Sequence, residues 1–199
     1  MTPAVREFDR RVEPGLALVG DAGRIAAACH AMALRFHRGG KLVVFGNGGG
    51  ATDAEHIAVE FVHPVIVGKR ALPALSLAED LATVTGVARR DGFDEIFAHQ
   101  LRHLADAADI ALGVSPDGEC ENVLRGLEVA HSMGLLTIAL TGGDGGAIAR
   151  SPAVEHAVVV HSADACVVKE MHVTVYHVLW ELVHVFFEQP GILGPAVVR

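Results

Sequence analysis

His56 and Glu60 stand four residues apart in GNGGGATDAEHIAVE, residues 46–60. On a helix that spacing puts an imidazole and a carboxylate on one face. Both groups are good zinc ligands, and both can move a proton. Taken alone, a solvated His–Glu pair is the commoner meaning. Position shifts the balance, because the pair follows a glycine-rich loop, Asn47-Gly48-Gly49-Gly50, that ends an apolar run. Glycines there permit positive φ and close backbone approach, and the helix start offers unbonded N–H groups to an anion. A tight strand-to-helix turn needs glycine too, so on its own the loop reads equally as phosphate site or as plain turn.

These groups act together only if the fold gathers them. The first 38 residues read as two helices; the second begins with Asp21 as its cap, carries Ile25, Cys29 and Met32 at helical spacing, and stops at Gly39-Gly40. Short apolar runs at 41–45, 72–77, 109–114, 135–140 and 156–161 are expected strands. Helices are expected after residues 50, 92 and 119 and over 166–187. Strands alternating with helices predict an α/β fold with a parallel sheet covered on both faces, and ligands at the carboxyl ends of its strands. Three expected strand ends run into turn-forming residues: GNGGG after Phe45, SPDG after Val114 and TGGDGG after Leu140. In the last of these, Asp144 is expected to cap the helix that follows. No linker or repeat interrupts the chain. The expectation is therefore one domain, with N-terminal helices over 1–40, an α/β core over 41–188 and an extended or disordered tail over 189–199.

Composition narrows the function classes. A chain of 199 residues supports one sizeable core. A formal charge of −8 argues against nucleic acid as a direct partner, since phosphate backbones are bound by clustered Lys and Arg. Small phosphorylated ligands remain open, because backbone N–H groups can hold them. No apolar run is long enough to span a bilayer, and the charged N-terminus lacks a signal-peptide core. Three widely spaced cysteines fit a reducing cytoplasm, with Cys29 and Cys166 expected to be buried structural residues and Cys120 near the candidate site.

The chain resembles the sugar isomerase (SIS) domain family, and within it the phosphoheptose isomerases and their replication-initiator-associating relatives. The resemblance rests on GNGGGATDAEHIAVE (46–60), DGFDEIF (91–97), LTGGDGG (140–146) and KEMHVTVYHVLWELV (169–183), and runs from the N-terminal helices to about Glu188. It implies a three-layer sandwich with a five-stranded parallel sheet plus N-terminal helices, assembled as a homotetramer with sites at subunit interfaces. It also implies a zinc ion and the isomerisation of sedoheptulose 7-phosphate. Carried over by position, His56, Glu60 and His177 are the metal ligands, Glu60 and His177 the catalytic groups, and Glu170 and His172 match the family pattern. Asn47, Gly48, Gly49, Gly50, Ser115, Asp117, Cys120 and Lys169 become the candidate substrate contacts.

Several positions depart from that pattern. Lys169 stands where the family has a glutamine metal ligand, and an ammonium repels a cation. Gly50 replaces a serine, Pro64 (beside His63) an arginine, and the hydroxyl-rich phosphate loop reads Ser115-Pro116-Asp117-Gly118-Glu119-Cys120. A carboxylate ~4 Å from a phosphate costs about 1 kcal/mol even in water. Asp117 is open to pairing with Lys169, Arg89 or Arg90, the alternative being that all of them stay solvated. Two readings stand: a metal-dependent isomerase of a sugar phosphate or a less anionic sugar derivative, and a non-catalytic tetramer acting as regulator, scaffold or enzyme-maturation factor. His172, Tyr176, Trp180 and His184 form a stripe expected to pack.

Overall fold

The computed structural model describes residues 2–189 and 191–194. Helices α1 (Pro3–Gly20) and α2 (Ala22–His37) lead into strand β1 (Leu42–Gly46). Thr2 starts α1, its hydroxyl accepting from Val5 N–H with proline in the first turn. Asp21 occupies the cap position expected for α2, but it does not cap with its side chain. Its backbone lies at φ −91°, ψ 6° in an almost continuous turn from α1, not in the extended conformation a capping residue takes, and its carboxylate makes no cap bond.

The remaining strands are β2 (Ala74–Ser76), β3 (Ile110–Ser115), β4 (Leu136–Gly142) and β5 (His156–Val160). All pairings are parallel, in the order β2-β1-β3-β4-β5. Helices α3 (Gly49–Val62), α4 (Leu81–Asp91), α5 (Ile96–Leu104), α6 (Glu121–Ser132), α7 (Gly146–Arg150) and α8 (Ala165–Glu188) complete a three-layer α/β sandwich. Alternate strand residues feed two cores. Val44, Leu112, Ile138 and Val160 pack under α2, α3 and α8, while Val43, Phe45, Ala111 and Ala139 pack under α4 to α7.

Helix α4 goes beyond the sequence expectation. It reads LATVTGVARRD, contains β-branched residues and a glycine, and buries only Val87, so no apolar stripe announces it. What starts it is Asp80, whose carboxylate accepts from the N–H groups of Ala82 and Thr83, both at 3.1 Å. Bonds from the Thr83 hydroxyl and these N–H groups hold the Asp80 carboxyl below the usual range. Helix α7 is too short to show a period. Asp144 does serve its start, accepting from Gly146 N–H at 3.0 Å.

The strand order reverses between β1 and β3, which opens a crevice at their carboxyl ends. All three turn-rich strand ends lie there, because β1, β3 and β4 are consecutive neighbours. The β3 and β4 ends are also locked together: Ile148 N–H donates to Gly118 carbonyl at 3.0 Å. Among the described residues no helix is long and apolar enough to cross a membrane. Of the expected tail, residue 190 and residues 195–199 lie outside the described residues, and 191–194 carry neither helix nor strand.

Candidate functional site

Helix α3 brings His56 and Glu60, and α8 brings His177, to one place. Their ligand atoms all lie within 4.8 Å of one another. Glu60 Oε1 is 3.2 Å from His56 Nε2 and 3.5 Å from His177 Nε2. Glu60 is mostly covered, while the two imidazoles are about half exposed, so the cluster opens to solvent on one side. Two side chains of α8 hold α3 in register: Trp180 Nε1–H donates to Glu60 carbonyl at 3.0 Å, and Tyr176 Oη lies 2.7 Å from His56 Nδ1. Burial, with the negative charges of Asp53 and Glu60, pushes the Tyr176 phenol up to about 12. Two imidazole nitrogens and a carboxylate oxygen are a donor set that suits zinc and leaves a position open. The residues present therefore fit a divalent metal.

About one helical turn nearer the starts of α3 and α8 than this cluster, a pocket of about 370 Å³ opens at the carboxyl ends of β1 and β3; His56 itself lines a separate opening with Thr52, Glu55, Val59 and Glu79. Asn47, Gly49, Gly50 and Lys169 line the pocket at the strand ends, with Asp53 and His172. Asp53, which sequence reading passed over, is the partner of Lys169. The ammonium donates to Asp53 Oδ1 at 2.5 Å, Gly49 carbonyl at 2.6 Å and Thr52 Oγ1 at 3.1 Å. All three ammonium protons are thus used on the first turn of α3, and the anticipated Asp117–Lys169 pair does not form. The Asp53 side chain is 5% exposed, so its charge depends on this counterion. Lys169→Met is expected to lower stability by about 2 kcal/mol, less than for a fully buried pair because the lysine is partly solvated, as read by urea unfolding. Nothing local in the sequence revealed this pairing, because the two residues lie 116 positions apart. His172 is buried and donates Nε2–H to Thr141 carbonyl at 3.1 Å; burial pushes it below its ordinary value.

Asn47 is held by Asn122 on α6, each amide donating to the other at 2.7 and 2.9 Å. That pair bridges the crevice and was not legible in sequence. Gly48, at φ +52°, shapes the loop but does not line the pocket. Nor do Ser115, Asp117 and Cys120. Ser115 is buried, its hydroxyl accepting from Gly118 N–H at 3.1 Å and Cys120 N–H at 3.4 Å. Asp117 Oδ1 accepts from Glu119 N–H at 2.9 Å and from the Ser115 hydroxyl at 3.3 Å. Three successive N–H groups of the β3–α6 loop are therefore bonded to side chains of that same loop. Cys120 sits at the cap position of α6 without capping it.

The remaining expectations resolve as follows. Arg90 pairs with Asp91 on α4, away from Asp117. Glu170 turns towards α1, where Arg11 meets it in a bidentate pair at 2.6 and 2.7 Å. Cys29 is buried as expected, and desolvation pushes its thiol up to about 12. Cys166 is exposed instead, because it sits in the first turn of α8 where Asp164 caps the helix at the sheet edge. His172, Tyr176, Trp180 and His184 are buried within the chain.

Comparison with known proteins places these observations. Residues 16–142 match a family model described as SIS domain. A phosphoheptose isomerase of Thermodesulfovibrio yellowstonii is 40% identical over 189 residues, 94% of this chain and 90% of that relative. The solved phosphoheptose isomerase from Francisella tularensis superposes with a TM-score of 0.84 at 30% identity, covering 92% of this chain and 99% of that one. The phosphoheptose isomerase from Neisseria gonorrhoeae superposes with a TM-score of 0.82 at 27% identity, covering 90% and 96%.

Proposed function

This chain belongs to the SIS-domain family and is phosphoheptose isomerase-like, and from that premise we propose that it is a metal-dependent aldose–ketose isomerase of a sugar derivative. His56, Glu60 and His177 would hold a divalent ion, zinc by donor chemistry. The observation that carries this reading is the convergence of their ligand atoms within 4.8 Å, from the two helices that also line the pocket at the glycine loop. When bound, the ion would polarise adjacent carbonyl and hydroxyl oxygens. Proton movement between the two carbons falls to Glu60 or His177, and for each that role competes with holding the ion. Asn47, fixed by Asn122, and the Asp53–Lys169 pair shape the pocket and orient the sugar.

Few groups of this chain are free to hold the anionic end of a substrate. Among the described residues, Gly48 and Gly49 N–H have no acceptor and face a helix start, so they can receive an anion. The β3–α6 loop cannot without giving up its own bonds, because Asp117 carries the negative charge there. The substrate we favour is a sugar phosphate bound through the glycine loop, or a less anionic sugar derivative. Calorimetric titration of zinc-loaded protein with sedoheptulose 7-phosphate tests this. Micromolar binding, about −8 kcal/mol, supports a phosphoheptose substrate, and Asp117→Ser should then tighten it roughly tenfold. No binding at millimolar ligand sinks that substrate.

A second reading, a non-catalytic regulator, scaffold or maturation factor, draws on one observation: Lys169 and the β3–α6 loop are satisfied without any ligand. Either way we propose that the whole chain acts as one SIS domain in the cytoplasm, as a homotetramer, with no nucleic-acid or membrane partner. Supporting assembly, α1 exposes Phe8, Val12, Leu16 and Val19 at helical spacing.

A further inference from the structure

We infer that Tyr176 is a positioning residue whose hydroxyl sets the tautomer of His56 and so governs metal entry at the His56–Glu60–His177 cluster, an inference that rests on the metal reading above. A neutral imidazole has one N–H and one lone pair. His56 uses both nitrogens: Nε2 is 3.2 Å from Glu60 Oε1, and Nδ1 is 2.7 Å from Tyr176 Oη. An ionised carboxylate only accepts. In the metal-free protein the proton therefore belongs on Nε2, pointing at Glu60, and Nδ1 accepts the phenolic O–H. That tautomer has no lone pair to offer a metal at Nε2.

For His56 to ligate through Nε2, its proton must sit on Nδ1, and the group facing Nδ1 must then accept. A carbonyl there would hold the ligating tautomer permanently, and an amide N–H would exclude it. A hydroxyl serves both, by rotating one hydrogen about its C–O bond. The ring itself is fixed. Tyr176 is 2% exposed and stands edge-on to both imidazoles, at 5.4 Å from His56 and 4.8 Å from His177 between ring centroids. It thus keeps His56 aimed at Glu60 in either protonation pattern without touching the ion. Outer partners of this kind typically contribute 10–100-fold to metal affinity. Here the partner is reversible, so Glu60 keeps a donor until an ion replaces it.

The test is zinc competition against a chelator of known affinity, with wild-type protein and Tyr176→Phe, together with NMR assignment of the His56 tautomer in the wild type. We expect Tyr176→Phe to bind zinc roughly 10–100-fold more weakly, with the unfolding midpoint of the metal-free protein little changed. In the wild type His56 should carry its proton on Nε2 without metal and on Nδ1 with zinc. Equal zinc affinity in the two proteins, or an Nδ1 proton already present without metal, overturns the role of Tyr176 while leaving the metal site standing. A wild type that binds no zinc overturns the metal reading and this inference with it. The tautomer measurement needs no variant, so it decides the matter even if Tyr176→Phe fails to fold.

Discussion

Glu60→Gln is expected to lower turnover on a sugar substrate by about 10²–10⁴-fold while leaving the fold in place. The side chain is 13% exposed, and its Oε1 is the one atom within 3.2 and 3.5 Å of both imidazoles. Replacing it with an amide keeps the size and the shape of α3 but removes the only negative charge in the three-ligand cluster. Metal affinity and proton transfer both need that charge. Steady-state isomerisation of sedoheptulose 7-phosphate, zinc affinity and sedimentation on the same preparations separate the outcomes. Unchanged turnover in the variant removes Glu60 from the mechanism. A wild type without turnover, whose assembly and partner binding survive the substitution, would instead favour the scaffold reading.

Gly118→Ala is expected to destabilise the protein by at least ~3 kcal/mol. Gly118 has φ +74°, and a methyl group there would lie 2.0 Å from the Gly145 carbonyl oxygen and 2.9 Å from Gly146 N. These are backbone atoms, which cannot rotate aside as a side chain would. The left-handed conformation alone costs an L-residue about 1–2 kcal/mol, and the clash adds to it. Relief requires the β3 and β4 loops to part, which breaks the bond from Ile148 N–H to Gly118 carbonyl. Gly143→Ala is the control: its φ is +67°, but nothing lies within 4 Å of an added methyl, so only the conformational cost of about 1–2 kcal/mol should appear. Urea unfolding of the two variants measures the difference. Equal effects would mean that the loops are not in backbone contact.

The parts of this protein that were readable from sequence are those set by neighbours a few residues away. Apolar runs of strand length, separated by helical periods, determined the five-stranded parallel sheet. His56 and Glu60 were legible because one helical turn puts them on one face. Helix α4 was not, since its start depends on Asp80 and its few contacts, not on an apolar period.

Tertiary structure decided what the other site residues do. Lys169 is tied to Asp53 across 116 residues of chain, Asn47 to Asn122 across 75, and His56 to Tyr176 across 120. Each polar group chose its partner only after the sheet had closed and the choice was limited to what lay within hydrogen-bond reach. Asp117 shows the same rule from the other side. Several cations were open to it in sequence, yet it bonded Glu119 N–H and Ser115 in its own loop, because those donors are held beside it by the turn whatever else approaches. Periodicity survives in the order of residues, but pairing depends on distance in space, and that exists only in the folded chain.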